Sequence, residues 1–160
     1  MKPEIKFESP EINRVAFFQC IGGYEPIATV WRNIDDWLQS KNIDFRKRRF
    51  AGFDHPHPAW MKPPFGYVAF MILNDDEGEN NTFEGVHIYE FNSNGMYVSA
   101  QVLIEDMQIA WDTLFEFKEV SDYTFDTESG RQYFEEHIFT GERFNQHPTY
   151  FKIWMPVKKK

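Results

Sequence analysis

The chain has one cysteine, Cys20, so no disulfide can form within it and no cysteine-based metal site can be assembled. No apolar run approaches the roughly 18 residues needed to cross a membrane, and the opening MKPEIKFESP lacks the apolar core of a secretory leader. The expectation is a cytoplasmic protein. Basic charge is also scarce: the formal net charge is -8, which argues against a phosphate backbone as partner. The two basic runs, Arg46–Arg49 and Lys158–Lys160, read as an apparent strand and a frayed C-terminus, both solvated. There is no Gly-rich phosphate loop, no Ser or Cys nucleophile with a positioned base, no zinc signature and no helix-turn-helix pattern. Cofactors, metals, direct nucleic-acid binding and membrane association are therefore not expected.

What the chain has in excess is aromatic rings, 18% of its residues, more than a core of this size requires. Some are expected to line a cavity. A helical period places Ile27, Val30, Trp31, Ile34 and Trp37 on one stripe, and Met107, Ala110, Trp111, Leu114 and Phe117 on another. The two stripes are offset by 80 positions, half of the 160-residue chain. The first helix is expected to open at Pro26 and close near Ser40–Asn42; the second starts with Glu105 and Asp106. A strand-like run precedes each helix (Val15–Cys20, Met96–Leu103). Two more follow each: Arg48–Asp54 and Tyr67–Leu73, then Gln132–Phe139 and Tyr150–Val157. An extra strand, Val86–Phe91, is expected to form a hairpin with Met96–Leu103 through Asn92-Ser93-Asn94-Gly95. The fold class is thus α+β, one domain over residues 1–160. It consists of two strand-helix-strand-strand halves, at about 14–73 and 94–157, joined by the acidic stretch Asn74–Thr82. Both helices should cover one face of an antiparallel sheet and leave a groove between the repeats.

Several local patterns, in this order, are similar to those of the GyrI-like (AraC-type effector-binding) domain family. They are Gly22-Gly23-Tyr24 before Trp31-x-x-Ile34-x-x-Trp37-Leu38, Gly52-Phe53-Asp54-His55-Pro56, Gly95-Met96-Tyr97, Trp111-x-x-Leu114, Phe134-Glu135 and Ile153-Trp154-Met155-Pro156-Val157. The resemblance implies a duplicated fold whose groove takes up drug-like, often cationic, planar molecules between aromatic rings and carboxylates. It places one acid at Glu135. It places a second in the last strand, where this chain has Lys152 two residues before Trp154, and His137 stands where an aromatic is common. A groove holding Glu135, His137 and Lys152 would suit a neutral, zwitterionic or anionic ligand as well as a cation.

Strand alternation puts Lys152 and Trp154 on one face of the last strand and Phe151, Ile153 and Met155 on the other, apolar face. The expected ligand-binding set is Glu135, His137, Lys152, Trp154, Tyr67, Trp60, Trp31 and Trp111. Each has a plainer reading: Trp31 and Trp111 as core, Lys152 and Glu135 as solvated strand positions, Trp60 as packing or as a lid. His55-Pro56-His57 with Asp54 invites a metal, but a Pro-held loop fits better; Cys20 reads as a small buried hydrophobe. The resulting expectation is a module that senses or sequesters an amphipathic aromatic small molecule, of the multidrug-binding kind, signalling to a protein partner. Two alternatives stand beside it. One is a hydrolase of cyclopropane-bearing or other reactive small molecules, using Glu135 with Tyr67 or His137. The other is an inhibitor that binds a protein such as DNA gyrase, as the family name suggests.

Overall fold

A computed structural model describes residues 1–21, 25–55, 66–77, 86–144 and 147–160, with the side chains of 19–21, 25–26 and 55 outside the description. Nine strands are described: β1 (Lys6–Glu8), β2 (Arg14–Ile21), β3 (Phe50–His55), β4 (Gly66–Ile72), β5 (His87–Glu90), β6 (Tyr97–Leu103), β7 (Tyr123–Phe125), β8 (Phe134–Ile138) and β9 (Tyr150–Lys159). Two α-helices interrupt them, α1 (Glu25–Ser40) and α2 (Met107–Val120). Neither helix is long and apolar enough to cross a membrane. The strands pair antiparallel in the order β1-β6-β9-β8-β3-β4-β2-β5, with β7 added to the far end of β9. From the centre outward each half contributes its second, third and first strand, so β3 and β8 meet in the middle.

Each helix buries its stripe against its own half. Val30, Ile34 and Leu38 pack on Ala16, Phe50, Ala69 and Met71, whereas Ala110 and Leu114 pack on Val98, Ala100, Phe151, Ile153 and Met155. These strand residues alternate along their strands, so both helices lie on the same face. The first helix stops because Asn42 takes a left-handed conformation (φ 54°), which returns the amide of Ile43 to the carbonyl of Leu38 at 2.9 Å. On the opposite face Val15, Ala51, Val68, Phe70, Tyr97, Phe134 and Trp154 form a third cluster, closed over by Ile12.

Three expectations are corrected. The stretch 92–95 is not a hairpin turn: β5 pairs with β2 at one edge, while β6 pairs with β1 and β9 on the other side of the sheet. The polar tie that wins is Ser93, whose hydroxyl donates to the Ile12 carbonyl (2.6 Å) and accepts the Ile12 amide (3.1 Å). Arg46 and Lys47 stand in a turn of 3-10 helix rather than in a strand, because Asp44 caps it by accepting the Arg46 amide. Arg46 and Lys47 are exposed, whereas Arg48 and Arg49 are half-buried and pair with Glu77 and Glu136. The C-terminus is not frayed, since β7 pairs with β9 out to Lys159 and the Lys160 amide donates to Asp122.

Candidate functional site

α1 lies over β2 and β4, and α2 over β6 and β9, so the strip of sheet between them is β3 paired with β8. Its register is short: Phe50 faces His137, Ala51 faces Glu136 and Gly52 faces Glu135. Alternation then fixes which positions face the space between the helices. From β8 these are Glu135 and His137; from β3 they are Phe50, Gly52 and Asp54.

Gly52 is required by its neighbour. A Cβ at this position would lie 2.3 Å from the Tyr67 hydroxyl and 2.7 Å from the Val68 carbonyl. The phenol of Tyr67 therefore occupies the space a side chain at 52 would fill. It is itself buried, and its hydroxyl reaches the Nε2 of His137 at 3.3 Å. Trp31 of α1 covers that pair, its ring 4.9 Å from His137 and 6.3 Å from Tyr67. On the other side Trp111 of α2 hydrogen-bonds the Glu135 carboxyl and meets Tyr133 edge-on at 5.7 Å. The Tyr133 hydroxyl donates to the Asp54 carbonyl at 3.3 Å.

Low polarity governs the titration of every group here. Burial, with the nearby Asp54 charge, pushes the Glu135 carboxyl up to about 8 against the opposing Trp111 hydrogen bond. Burial likewise pushes His137 down to about 4, Tyr67 well up and Asp54 up. At neutral pH the middle of the groove therefore holds a protonated carboxyl and a neutral imidazole. Toward the β8–β9 connection the groove widens into a cavity of about 580 Å³, lined by Ala28, Trp31, Arg32, Asp35 and Asp36 of α1, by His137 and Phe139, and by Phe144, His147 and Pro148.

Of the residues expected from sequence, the structure brings together Glu135, His137, Tyr67, Trp31 and Trp111. Lys152 and Trp154 are placed elsewhere, on the face away from the helices. There Trp154 stacks on Phe134 with centroids 6.0 Å apart and donates from Nε1 to Glu136 at 2.9 Å. Lys152 lies 4.2 Å over the Trp154 ring and pairs with Glu8 at 2.9 Å, so it does not neutralise Glu135. The physical reason is that β9 carries aromatic or aliphatic residues on both faces, and α2 covers the face of Phe151, Ile153 and Met155. Trp60, Pro56 and His57, and the side chains of Cys20 and His55, lie outside the described residues. Among the described residues no group of three or more His, Cys, Asp or Glu is arranged to hold a metal ion. Sequence reasoning passed over Gly52, Asp54 and Tyr133 as groove residues. A glycine inside a strand pattern, in step with Phe50 and Asp54, was the signal for the first two.

Family models and curated proteins give no match to the chain. Solved structures do. The C-terminal domain of EcmrR superposes with a TM-score of 0.68 at 12% identity, covering 100% of both chains. A hydrolase from Listeria innocua gives a TM-score of 0.57 at 12% identity over 98% of this chain and 93% of that one. SAV2435, solved bound to tetraphenylphosphonium, gives 0.57 at 10% identity over 97% and 94%. With its strand order, its two helices on one face and these neighbours, the chain has the GyrI-like fold.

Proposed function

We propose that the chain binds an amphipathic aromatic small molecule in the groove between α1 and α2, as a sensing or sequestering module. The observation that carries this reading is the place of Glu135, a carboxyl on the strip of sheet between the two helices, bonded by Trp111, which itself meets Tyr133 edge-on, and two residues along β8 from the His137 that Trp31 covers. Aromatic walls take up a flat or cationic group by stacking and by the attraction of ring faces for positive charge. A carboxyl with a raised pKa can ionise when a cation arrives and so meets it with a full opposite charge. Lys152 being on the far face, a cation is the favoured ligand, as the tetraphenylphosphonium bound by SAV2435 supports.

The test is a titration of intrinsic tryptophan fluorescence with tetraphenylphosphonium at pH 7, for the unaltered protein and for Glu135→Gln. A desolvated charge contact is worth about 1.5–3 kcal/mol, so the variant should bind roughly tenfold or more weakly. Equal affinity for the two proteins would sink the reading. A carboxyl beside a phenol and an imidazole also suits hydrolysis, the activity named for the Listeria neighbour. Ligand consumed in repeated turnovers, rather than held at saturation, would favour that reading.

A further inference from the structure

The groove has two ends of different character. In the middle, Glu135 sits among Trp111 and Tyr133 with Asp54 nearby. Beyond Trp31 the cavity of about 580 Å³ opens along one stripe of α1, and Asp35 and Asp36 stand at its rim. Its inner wall is aromatic. Phe144 lies 4.8 Å from Phe139 and 6.0 Å from Trp31, and Trp31 in turn covers His137.

Charge distinguishes this end further. Among its described lining residues Arg32 is the one cation, against two carboxylates, so the mouth is net negative. Asp36 is exposed, and Asp35 accepts a hydrogen bond from the neutral amide of Gln39 at 3.1 Å. Trp31 thus stands over His137 at the inner end of this cavity, two residues along β8 from Glu135, and a ligand lying across it would present one charge to Glu135 and one to the rim.

We infer that the groove is built for elongated dicationic ligands: a flat aromatic cation at Glu135 and a second ammonium, carried on a short tail, in the chamber rimmed by Asp35 and Asp36. This rests on the binding reading given above. It adds a second subsite, on residues of α1 and the β8–β9 connection, and a preference for two positive centres over one. Ring faces and a net negative rim both favour an ammonium over a neutral tail. Of the rim carboxylates Asp36 is exposed and Asp35 half-buried, so the expected gain is modest, about three- to tenfold at low salt.

Ethidium and propidium test this, since they share one phenanthridinium head and propidium adds a quaternary ammonium tail. Dye fluorescence should show propidium binding about three- to tenfold more tightly than ethidium to the unaltered protein. The ratio should fall to about one for the double variant Asp35→Asn/Asp36→Asn, whose substitutions keep the side-chain shape and touch no core cluster. Glu135→Gln should weaken both dyes and leave the ratio standing. Equal affinities for the unaltered protein, or a ratio that survives the double variant, would overturn the second subsite while leaving the groove reading intact. If neither dye binds the unaltered protein, the groove reading falls and this inference falls with it.

Discussion

Glu135 and Glu136 are neighbours on β8, yet they face opposite sides of the sheet and live in opposite electrostatic surroundings. Glu136 is buried and fully satisfied. It accepts two hydrogen bonds from the Arg49 guanidinium, at 2.9 and 2.8 Å, and one from Trp154 at 2.9 Å. Arg49 in turn donates to the Pro10 carbonyl at 2.9 Å, which ties the N-terminal segment to both halves. Glu135 has rings around it, a carboxylate nearby and a tryptophan N–H, and is pushed up to about 8. One carboxylate closes a structure; the other is left without a cationic partner among the contacts described, which is why it is the one proposed to meet a ligand.

Substituting the two residues separately is the strongest way to break that contrast. Glu136→Ala would leave the Arg49 guanidinium and the Trp154 N–H without their acceptor. Breaking a buried pair costs about 3–5 kcal/mol. The Arg49 side chain is 38% exposed, so a loss of about 2–3 kcal/mol by urea denaturation is expected. Glu135→Gln should not destabilise comparably at neutral pH, and a loss as large as that of Glu136→Ala would show that the two sites are alike.

A smaller, pH-dependent effect sharpens the same contrast. The folded Glu135 carboxyl titrates near 8, above its ordinary 4.5. The native state therefore holds a proton that the unfolded chain gives up, and this group's contribution to stability declines as pH rises from 4.5 through 8, then levels off. Glu135→Gln should flatten the fall in Tm across that window. His137 acts in the opposite direction, costing stability as pH falls from 6.5 through 4. An unchanged Tm slope between pH 5 and 8 in Glu135→Gln would show the carboxyl already ionised.

The smallest effect on binding belongs to Lys152→Glu. Its side chain is 16% exposed and its ammonium touches Glu8 and the Trp154 ring, so a carboxylate facing Glu8 there should cost about 2–3 kcal/mol in stability. Tetraphenylphosphonium affinity should stay within about twofold, since the residue faces away from the groove. A large gain in cation binding would put Lys152 back inside it.

Much of the architecture was legible in the residues because it rests on periodicity. Two helical stripes in register and alternating strands gave the α+β class, the shared helix face and the opposed faces of β9. Glu135 and His137 were pointed to by the family resemblance, and Trp31 and Trp111 by their matching places on the two helical stripes; Tyr67 had a chemical reason only as a partner of Glu135 in the hydrolase alternative. Alternation tells which residues share a face but not which face a helix covers, and Trp154 is apolar enough for either. That is why Lys152 and Trp154 were assigned to the groove. The failed hairpin at 92–95 has another cause: Asn-Gly is a local signal, and it was overridden by Ser93 bonding to Ile12, 81 positions away. Short strands such as Lys6–Glu8 and Tyr123–Phe125 carry too few residues for a period to show, so they emerge only from their pairing partners.

The β3–β8 pairing has a mechanical consequence. Three residue pairs join the two halves there, against seven each in β2–β4 and β6–β9. This seam is the narrowest hydrogen-bonded junction in the sheet's interior, and the groove runs directly above it. A molecule lying in the groove touches both helices and would act as a splint across the joint. Hinge-like opening between the halves would then have to expel the guest first, so the lifetime of the complex and the cohesion of the two halves become one quantity, read in the same hydrogen-exchange rates of β3 and β8.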